Sequence, residues 1–138
     1  MSRQTARPFE VAERMFAADH ASKALGMQIA ALSRGSAVVT MTVTETMVNG
    51  YGITHGGFVF AVADTAFALA CNSGESSAVA ARADIRFLRP SRRGDTLTAT
   101  AQERQAFGRN GIYDVTVAVG DTVIAEFRGD SRTIPTPG

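Results

Sequence analysis

The centre of the chain reads Asn49-Gly50-Tyr51-Gly52-Ile53-Thr54-His55-Gly56-Gly57 and continues into the almost wholly apolar run Phe58–Cys71. Alanine and leucine favour a helix in this run, and the glycines in front of it suit a tight turn at its start. A helix that is apolar on all sides is buried, and this run is shorter than the ~20 residues that cross a bilayer. The sequence therefore predicts one helix over Gly57–Cys71 that the rest of a soluble domain wraps on several sides.

One ionisable residue, Asp64, lies inside this apolar helix. A buried carboxylate without a partner is costly, so such a residue usually has a partner, a raised pKa or a catalytic role. A structural Asp bonded to backbone donors is the first interpretation. A functional carboxylate is the second, and the residues in front of the helix favour it.

His55, one of only two histidines, stands immediately before Gly56 and Gly57. A helix leaves its first N–H groups without partners and carries the positive end of its dipole there. Such amides bind a phosphate, or stabilise an oxygen that gains negative charge during a reaction. A carboxylate, an imidazole and free amides together are the groups that acyl transfer requires, so we predict a catalytic site here.

Helical geometry separates two of these groups. Gly56 and Asp64 are eight positions apart, which at 1.5 Å per residue is roughly 12 Å along the axis. Both cannot reach one carbonyl group from a single helix. If both are catalytic, a second copy of the helix must run antiparallel across a two-fold axis. Each shared site then takes Asn49, His55 and Gly56 from one chain and Asp64 from the other, which predicts a homodimer.

Length and composition predict one globular domain over residues 1–138, with frayed ends at 1–7 and 134–138. Hydrophobic residues make up 45% of the chain and charged residues 20%, which is typical of a folded protein. The net charge of +1 indicates neither a nucleic-acid nor a membrane partner. The single cysteine and the lack of an apolar signal core after Met1–Pro8 predict a cytoplasmic protein. No metal motif occurs, so neither a metal nor a cofactor is expected.

The order of elements predicts an α+β fold. A first helix is expected to start at Arg7-Pro8-Phe9 and to end at Gly26, and Asn110-Gly111 is a strong tight-turn signal. Alternating apolar and polar residues predict the strands Met27–Leu32, Ala37–Thr44, Ala78–Leu88, Thr96–Arg104, Ile112–Val119 and Thr122–Thr133. We therefore expect an antiparallel sheet of about six strands wrapped around one long buried helix.

The residues of this core resemble the hotdog-fold thioesterases of the phenylacetic-acid degradation type. The matching motifs are Asn49-Gly50, His55-Gly56-Gly57, Ala63-Asp64-Thr65-Ala66, Phe87-Leu88-Arg89-Pro90 and Gly94-Asp95-Thr96-Leu97. The resemblance implies a hotdog fold and hydrolysis of acyl-CoA thioesters, with phenylacetyl-CoA and hydroxyphenylacetyl-CoA as favoured substrates. It also implies dimers paired into tetramers.

The resemblance further implies a role for each site residue. Asp64 would act as general base or nucleophile, and the Gly56 amide would polarise the thioester carbonyl. Asn49 and His55 would line the reacting centre. Related enzymes often place a Ser or Thr hydroxyl near the positions of Ala80 and Ala81, where this chain has none. Two hydroxyls could take its place, those of Thr65 and Ser77; otherwise Asp64 and Asn49 alone would position the water.

Contacts to coenzyme A are predicted at three places. Gly57 and Thr65 flank the catalytic residues. Five arginines lie close together in the sequence: Arg82, Arg86, Arg89, Arg92 and Arg93. They form either a solvated strand face, partly neutralised by Asp84, or a binding site for the phosphates of coenzyme A. The hairpin tip adds Gly108, Arg109 and Asn110. Nucleic acid is not expected, because the segment lacks interleaved aromatic residues.

Two other functions use similar residues. A hotdog-fold enoyl-acyl hydratase or dehydratase also carries a His and an acid, but acts on the β-carbon of an acyl thioester. A non-enzymatic acyl-CoA-binding protein would need an output domain, for which this chain has no room. The order His55-Gly56-Gly57 directly before the helix favours the thioesterase.

Overall fold

A computed structural model describes residues 9–135, which form three α-helices and six strands. The helices are α1 (Glu10–Ala17), α2 (His20–Ala24) and α3 (Gly56–Cys71). The strands are β1 (Gln28–Ser33), β2 (Ser36–Thr42), β3 (Ser77–Phe87), β4 (Thr96–Phe107), β5 (Asn110–Val119) and β6 (Thr122–Ile134). The expected fraying of residues 1–7 falls outside the described residues.

The strands pair antiparallel in one sheet, in the spatial order β1-β2-β4-β5-β6-β3. Helix α3 packs across one face of this sheet and contacts every one of its strands. β1 and β3 are the two edges of the sheet. The predicted α+β architecture, an antiparallel six-stranded sheet around one long helix, is confirmed.

Aromatic packing fixes the helix on the sheet. Phe67 of α3 is 1% exposed, and its ring centroid lies 5.7 Å from those of Tyr113 on β5 and Phe127 on β6. Gly129 of β6 lies beneath the same ring, where a Cβ atom would stand 2.8 Å from it. The absence of a side chain at Gly129 therefore allows α3 to lie close to the sheet.

Replacing Gly129 with alanine should lower the free energy of unfolding by about 1–3 kcal/mol, the usual cost of overpacking a core. The Phe67 ring is fully surrounded and has no room to move away from the added methyl group. Urea unfolding measures the change, with Gly50→Ala as control, because a Cβ at Gly50 meets nothing within 4 Å. Equal stability of the Gly129→Ala protein and the wild type would contradict this packing.

The predicted first helix is wrong in one respect, because it is two helices. Helix α1 ends at Ala17, and α2 begins at His20 after a break at Asp19. The Asp19 carboxylate accepts a hydrogen bond from the Ser22 backbone N–H at 3.0 Å and one from its hydroxyl at 2.6 Å. An Asp in this position starts a new helix. The chain closes α2 before Gly26, which has φ +75°, so the predicted glycine end is confirmed.

Two boundaries in the sheet also differ from prediction. The tight turn lies at Gly108 and Arg109, since Phe107 pairs with Asn110. Gly111 is a strand residue, and a Cβ there would lie 2.9 Å from the Tyr113 ring, so packing explains this glycine. Ile134, the first residue of the segment expected to fray, is still part of β6 and pairs with Ser77, and residues 136–138 lie outside the described residues.

One side of α3 is only partly covered by the rest of the chain. Ala61, Asp64, Ala68 and Cys71 recur every three or four residues and are half-buried, whereas most other residues of the helix are buried. This spacing defines a single stripe along the helix. The chain therefore wraps α3 on several sides, as predicted, and leaves this stripe only partly covered.

Candidate active site

His55 fixes the start of α3. Its Nδ1 accepts a hydrogen bond from the Gly57 backbone N–H at 3.2 Å, and its own backbone N–H donates to the Met47 carbonyl at 2.7 Å. Because Nδ1 accepts in this bond, Nε2 is the ring nitrogen left to act as a donor. His55 therefore caps the helix and has an Nε2–H donor to offer a substrate. The Gly57 amide, predicted to bind substrate, is occupied by this cap instead.

The Gly56 amide remains available. No other described residue accepts a hydrogen bond from the Gly56 N–H. Gly56 lines a pocket of about 400 Å³, whose wall continues through Phe87, Leu88, Arg89 and Pro90. A backbone donor at the wall of a pocket is the arrangement that stabilises a developing oxyanion.

Gly56 also lies against Phe87 at the end of β3. A Cβ atom at Gly56 would stand 3.0 Å from Phe87 Cζ. The Phe87 side chain is 57% exposed, so its ring has room to turn away. Nothing in the sequence indicated this contact, because the two residues are separated by the whole of α3 and β3.

The loop that carries Asn49 is held by the Asn49 side chain. Its Oδ1 accepts hydrogen bonds from the backbone N–H groups of Tyr51 at 2.9 Å and Ile53 at 3.2 Å. These bonds assign the amide orientation and leave Nδ2 with two free donors. The Asn49 side chain therefore has only its Nδ2 donors left to offer, since its acceptor atom is engaged in the loop.

Asp64 is half-buried on α3 and has no hydrogen bond or ion pair with any other described residue. Burial raises the pKa of its carboxyl above the ordinary value of 3.8, and the nearby negative charge of Asp19 raises it further. A structural Asp would be bonded to backbone donors, and Asp64 is not. An unpartnered carboxylate with a raised pKa suits a general base or a nucleophile.

Thr65, predicted to contact substrate, points elsewhere. Its side chain is buried, and its hydroxyl lies 2.8 Å from the Ser22 hydroxyl. Ser22 in turn donates to Asp19, so the three side chains tie α2 to α3. This hydroxyl is therefore a structural link rather than the replacement for the missing water-binding hydroxyl. The Asp19-x-x-Ser22 spacing is a signal for the start of α2, but nothing in the sequence indicated the contact between Ser22 and Thr65.

Cys71 lies on the same open stripe of α3 as Asp64. Burial raises the pKa of its thiol to about 12, and its Sγ lies 3.5 Å from the Ala68 carbonyl oxygen. A thiol with such a pKa carries almost no thiolate at neutral pH. Cys71 is therefore a structural residue.

The arginines separate into those near the Gly56 pocket and those away from it. Arg89 lines the pocket and donates from Nη1 to the Val123 carbonyl at 2.6 Å. Arg92 is exposed beside it, since it forms a bridge with the pocket residue Ile53. Arg93 lies 3.9 Å from Glu45. Arg89 and Arg92 leave positive charge at one rim of the pocket, whereas the charge of Arg93 is paired with that of Glu45.

The hairpin tip does not join this rim within one chain. Gly108, Arg109 and Asn110 follow β4, whereas Arg92 and Arg93 precede it. Eleven residue steps of a strand separate the two groups by roughly 36 Å. The predicted coenzyme A contacts of one chain are therefore divided between opposite ends of the sheet.

The two predicted catalytic groups are likewise apart. Helix α3 is continuous from Gly56 to Cys71, and the pocket that Gly56 lines does not include Asp64.

In residues 9–135, no three His, Cys, Asp or Glu side chains come together as metal ligands do. None of the described helices is long and apolar enough to span a membrane.

Comparison with models of protein families identifies the class of protein to which the chain belongs. The model of the thioesterase superfamily matches residues 51–126, which include the Gly56 helix start, all of α3 and most of the sheet. The chain belongs to this superfamily. The hotdog fold predicted from the sequence is thereby confirmed.

The chain is also similar to individual proteins of this superfamily. The chain is 47% identical to the acyl-coenzyme A thioesterase PaaI of Escherichia coli over 129 residues, or 93% of this chain and 92% of the relative. A structure of E. coli PaaI, from the phenylacetic acid degradation operon, superimposes with a TM-score of 0.89 at 48% identity, covering 92% of this chain and 93% of that one. A variant of the phenylacetic acid degradation protein PaaI from Thermus thermophilus gives a TM-score of 0.79 at 34% identity, covering 82% and 97%.

Proposed function

We propose that the protein hydrolyses acyl-CoA thioesters, with phenylacetyl and hydroxyphenylacetyl groups as the favoured acyl class. The observation that carries the proposal is a matched pair of unused groups: the Asp64 carboxylate and the Gly56 amide have no partners among the described residues. An acid that can activate water and a donor that can hold an oxyanion are what this reaction needs. The relationship to PaaI of E. coli supports the same reaction.

We propose that each active site is shared by two protomers. The two unused groups lie on one straight helix about 12 Å apart along its axis. The open stripe through Ala61, Asp64 and Ala68 offers a surface for a second α3 running antiparallel. Beside it, the edge strand β3 exposes Val79 and Phe87, at 46% and 57%. A two-fold axis at this surface would bring Gly56 of one protomer to Asp64 of the other.

In this site, Asp64 takes a proton from water while the water oxygen attacks the thioester carbonyl carbon. The carbonyl oxygen becomes negative and accepts hydrogen bonds from the partner protomer's Gly56 N–H, with the Nε2–H of His55 and the Nδ2–H of Asn49 as further donors. The carbon–sulfur bond then breaks, and the coenzyme A sulfur takes the proton from Asp64. In the nucleophilic alternative, the Asp64 carboxylate attacks the carbonyl carbon, the carbon–sulfur bond breaks and the coenzyme A thiolate leaves. Water then cleaves the resulting anhydride, which frees the acid and restores the Asp64 carboxylate, and the thiolate takes the released proton.

The proposed reaction consumes only water, so no cofactor enters it. Arg89, Arg92 and Arg93 would meet the phosphates of coenzyme A at the rim of the Gly56 pocket, and Arg109 with its neighbours would reach a substrate held by the partner protomer. Pairing of dimers into tetramers is part of this proposal. A cytoplasmic location stays a prediction.

Release of free thiol on mixing the protein with acyl-CoA tests the reaction. Thioester hydrolysis liberates coenzyme A, whereas a hydratase adds water to the acyl chain and a binding protein leaves the thioester intact. A panel from short aliphatic to phenylacetyl and hydroxyphenylacetyl thioesters also ranks the acyl groups. Absence of thiol release across the panel would contradict the proposed function.

A mixing experiment tests the shared site. We expect Asp64→Asn and Gly56→Pro proteins to be inactive alone and to regain activity when their subunits exchange. Each mixed dimer then contains one site with both natural groups, so an equal mixture should reach about a quarter of wild-type activity. Light scattering and a differential tag establish the exchange. No recovery despite exchange, or a fully active monomer, would contradict a shared site.

A further inference from the structure

A second acid, Asp19, lies at the break between α1 and α2. Its carboxylate starts α2, because one oxygen accepts a hydrogen bond from the Ser22 backbone N–H at 3.0 Å and the other accepts one from the Ser22 hydroxyl at 2.6 Å. Asp19 is also half-buried. Its negative charge is therefore fixed in position, with a bond to each of its oxygens.

A buried contact holds this acid against α3. The Ser22 hydroxyl gives its proton to Asp19, so the Thr65 hydroxyl, 2.8 Å away, donates to Ser22. Ser22 and Thr65 are only 4% and 8% exposed, so this contact is formed away from water. Thr65 directly follows Asp64 in the helix. The Asp19 carboxylate is thus two hydrogen bonds away from the residue next to Asp64.

Asp19 acts on Asp64 through space. Both oxygens of Asp19 are bonded to Ser22, and Asp64 has no hydrogen bond with any other described residue. Burial is the larger cause of the raised pKa of the Asp64 carboxyl, and the negative charge of Asp19 adds to it. A like charge nearby disfavours the ionised form, so the Asp64 carboxylate binds a proton more strongly.

The other charged groups of the two short helices are engaged elsewhere or exposed. On α1, Arg14 is paired with Glu10, and Glu13 is exposed. On α2, Lys23 donates from Nζ to a backbone carbonyl at the end of α1, and His20 is exposed. Of the described helix residues outside α3, Asp19 is the one whose charge acts on the Asp64 carboxyl.

The sheet and α3 itself present neutral groups to Asp64. Among the charged residues of the strands, Glu103 accepts a hydrogen bond from the Tyr113 phenol, and the others alternate with core residues and face the opposite side of the sheet. On α3, the Cys71 thiol, with a pKa of about 12, is neutral. In the proposed shared site, His55 of the partner protomer also faces Asp64.

We propose that Asp19 is a positioning residue for the reaction, whose fixed negative charge beside α3 makes Asp64 a stronger base. The inference rests on the proposed thioesterase function and adds a residue that does not touch the thioester. It also gives the break between α1 and α2 a role, because a side chain caps a helix only where that helix begins. A stronger base takes a proton from water more readily.

Removing the charge tests the proposal. Asp19→Asn and Asp19→Ser both keep a good helix cap, so the start of α2 should persist. Without the nearby charge Asp64 ionises more easily, its pKa falls, and the acidic limb of kcat/KM should move to lower pH. At pH values above the limb, the weaker base should lower kcat about two- to fivefold with KM unchanged. Damage to the fold does not produce this combination.

Two controls separate charge from packing and from net charge. Ser22→Ala removes the contact with Thr65 but keeps the Asp19 charge and its bond from the Ser22 N–H. Asp121→Asn removes one negative charge in the exposed turn between β5 and β6. In both variants the acidic limb should stay at the wild-type pH. If it moved as far in Ser22→Ala as in Asp19→Asn, packing of α2 would be the cause, and the role of the charge would be overturned.

A measurement without substrate separates this inference from the proposed function. The carboxyl-carbon NMR signal of Asp64, assigned by its absence in Asp64→Asn, should titrate at lower pH in Asp19→Asn than in the wild type. An unchanged midpoint and an unchanged limb would overturn the role of Asp19 while wild-type hydrolysis still stands. Wild-type protein that releases no thiol from any acyl-CoA would overturn the proposed function, and with it the catalytic part of the inference, whatever the NMR titration shows.

Discussion

Replacing Asp64 with asparagine is expected to lower thioester hydrolysis by at least about a hundredfold, the lower range for loss of a general base. Asparagine keeps the shape of the side chain but cannot take a proton from water. Because Asp64 has no hydrogen bond to lose within the described residues, its replacement should leave the fold and acyl-CoA binding intact. Thiol release measures turnover, and titration with acyl-CoA measures binding.

The pH dependence gives an independent check on the same residue. The general base works in its ionised form, so wild-type activity should fall as the pH decreases through the pKa of Asp64, which burial and Asp19 raise above 3.8. The residual activity of Asp64→Asn should lack this acidic limb. Asp121→Asn is the control, since Asp121 is exposed in a turn between β5 and β6. If Asp64→Asn kept the turnover of the wild type, Asp64 would have no catalytic role.

The second large effect is expected at a backbone atom. Replacing Gly56 with proline removes its N–H and should lower kcat about a hundred- to a thousandfold, as loss of one oxyanion donor does. The structure accepts proline here, because Gly56 is the first residue of α3 and the preceding His55 has ψ 132°. The helix should therefore persist without this donor.

Alanine at Gly56 provides the matched control. It keeps the N–H, yet places a Cβ in the same tight position, 3.0 Å from Phe87 Cζ. Because the N–H donor is kept, Gly56→Ala should retain much more activity than Gly56→Pro. If the alanine and proline variants lost activity equally, crowding at Phe87 would explain the loss, and the amide would have no role.

The sequence was most informative where one physical signal dominated. The unbroken apolar run predicted α3 to within one residue, and period-two alternation predicted all six strands. Asp64 was recognisable because a lone acid in an apolar helix is costly. These features are local, so they are readable without knowledge of what packs against them.

Contacts between distant segments were not readable in this way. Gly111 was assigned to a turn because Asn-Gly favours turns, but the close approach of the Tyr113 ring requires the glycine within the strand. Thr65 was assigned to the substrate, but Ser22, 43 positions earlier, takes its hydroxyl. The proximity of Phe87 to Gly56 likewise depends on how β3 returns beside α3.

The hydrogen bonds that order the Asn49 loop also affect the entropy of binding. Two backbone N–H groups of this loop, those of Tyr51 and Ile53, are held by the Asn49 side chain. The conformational freedom of the loop is therefore lost during folding. A thioester that meets the loop does not have to order it again, so more of the interaction energy remains for affinity and for the transition state.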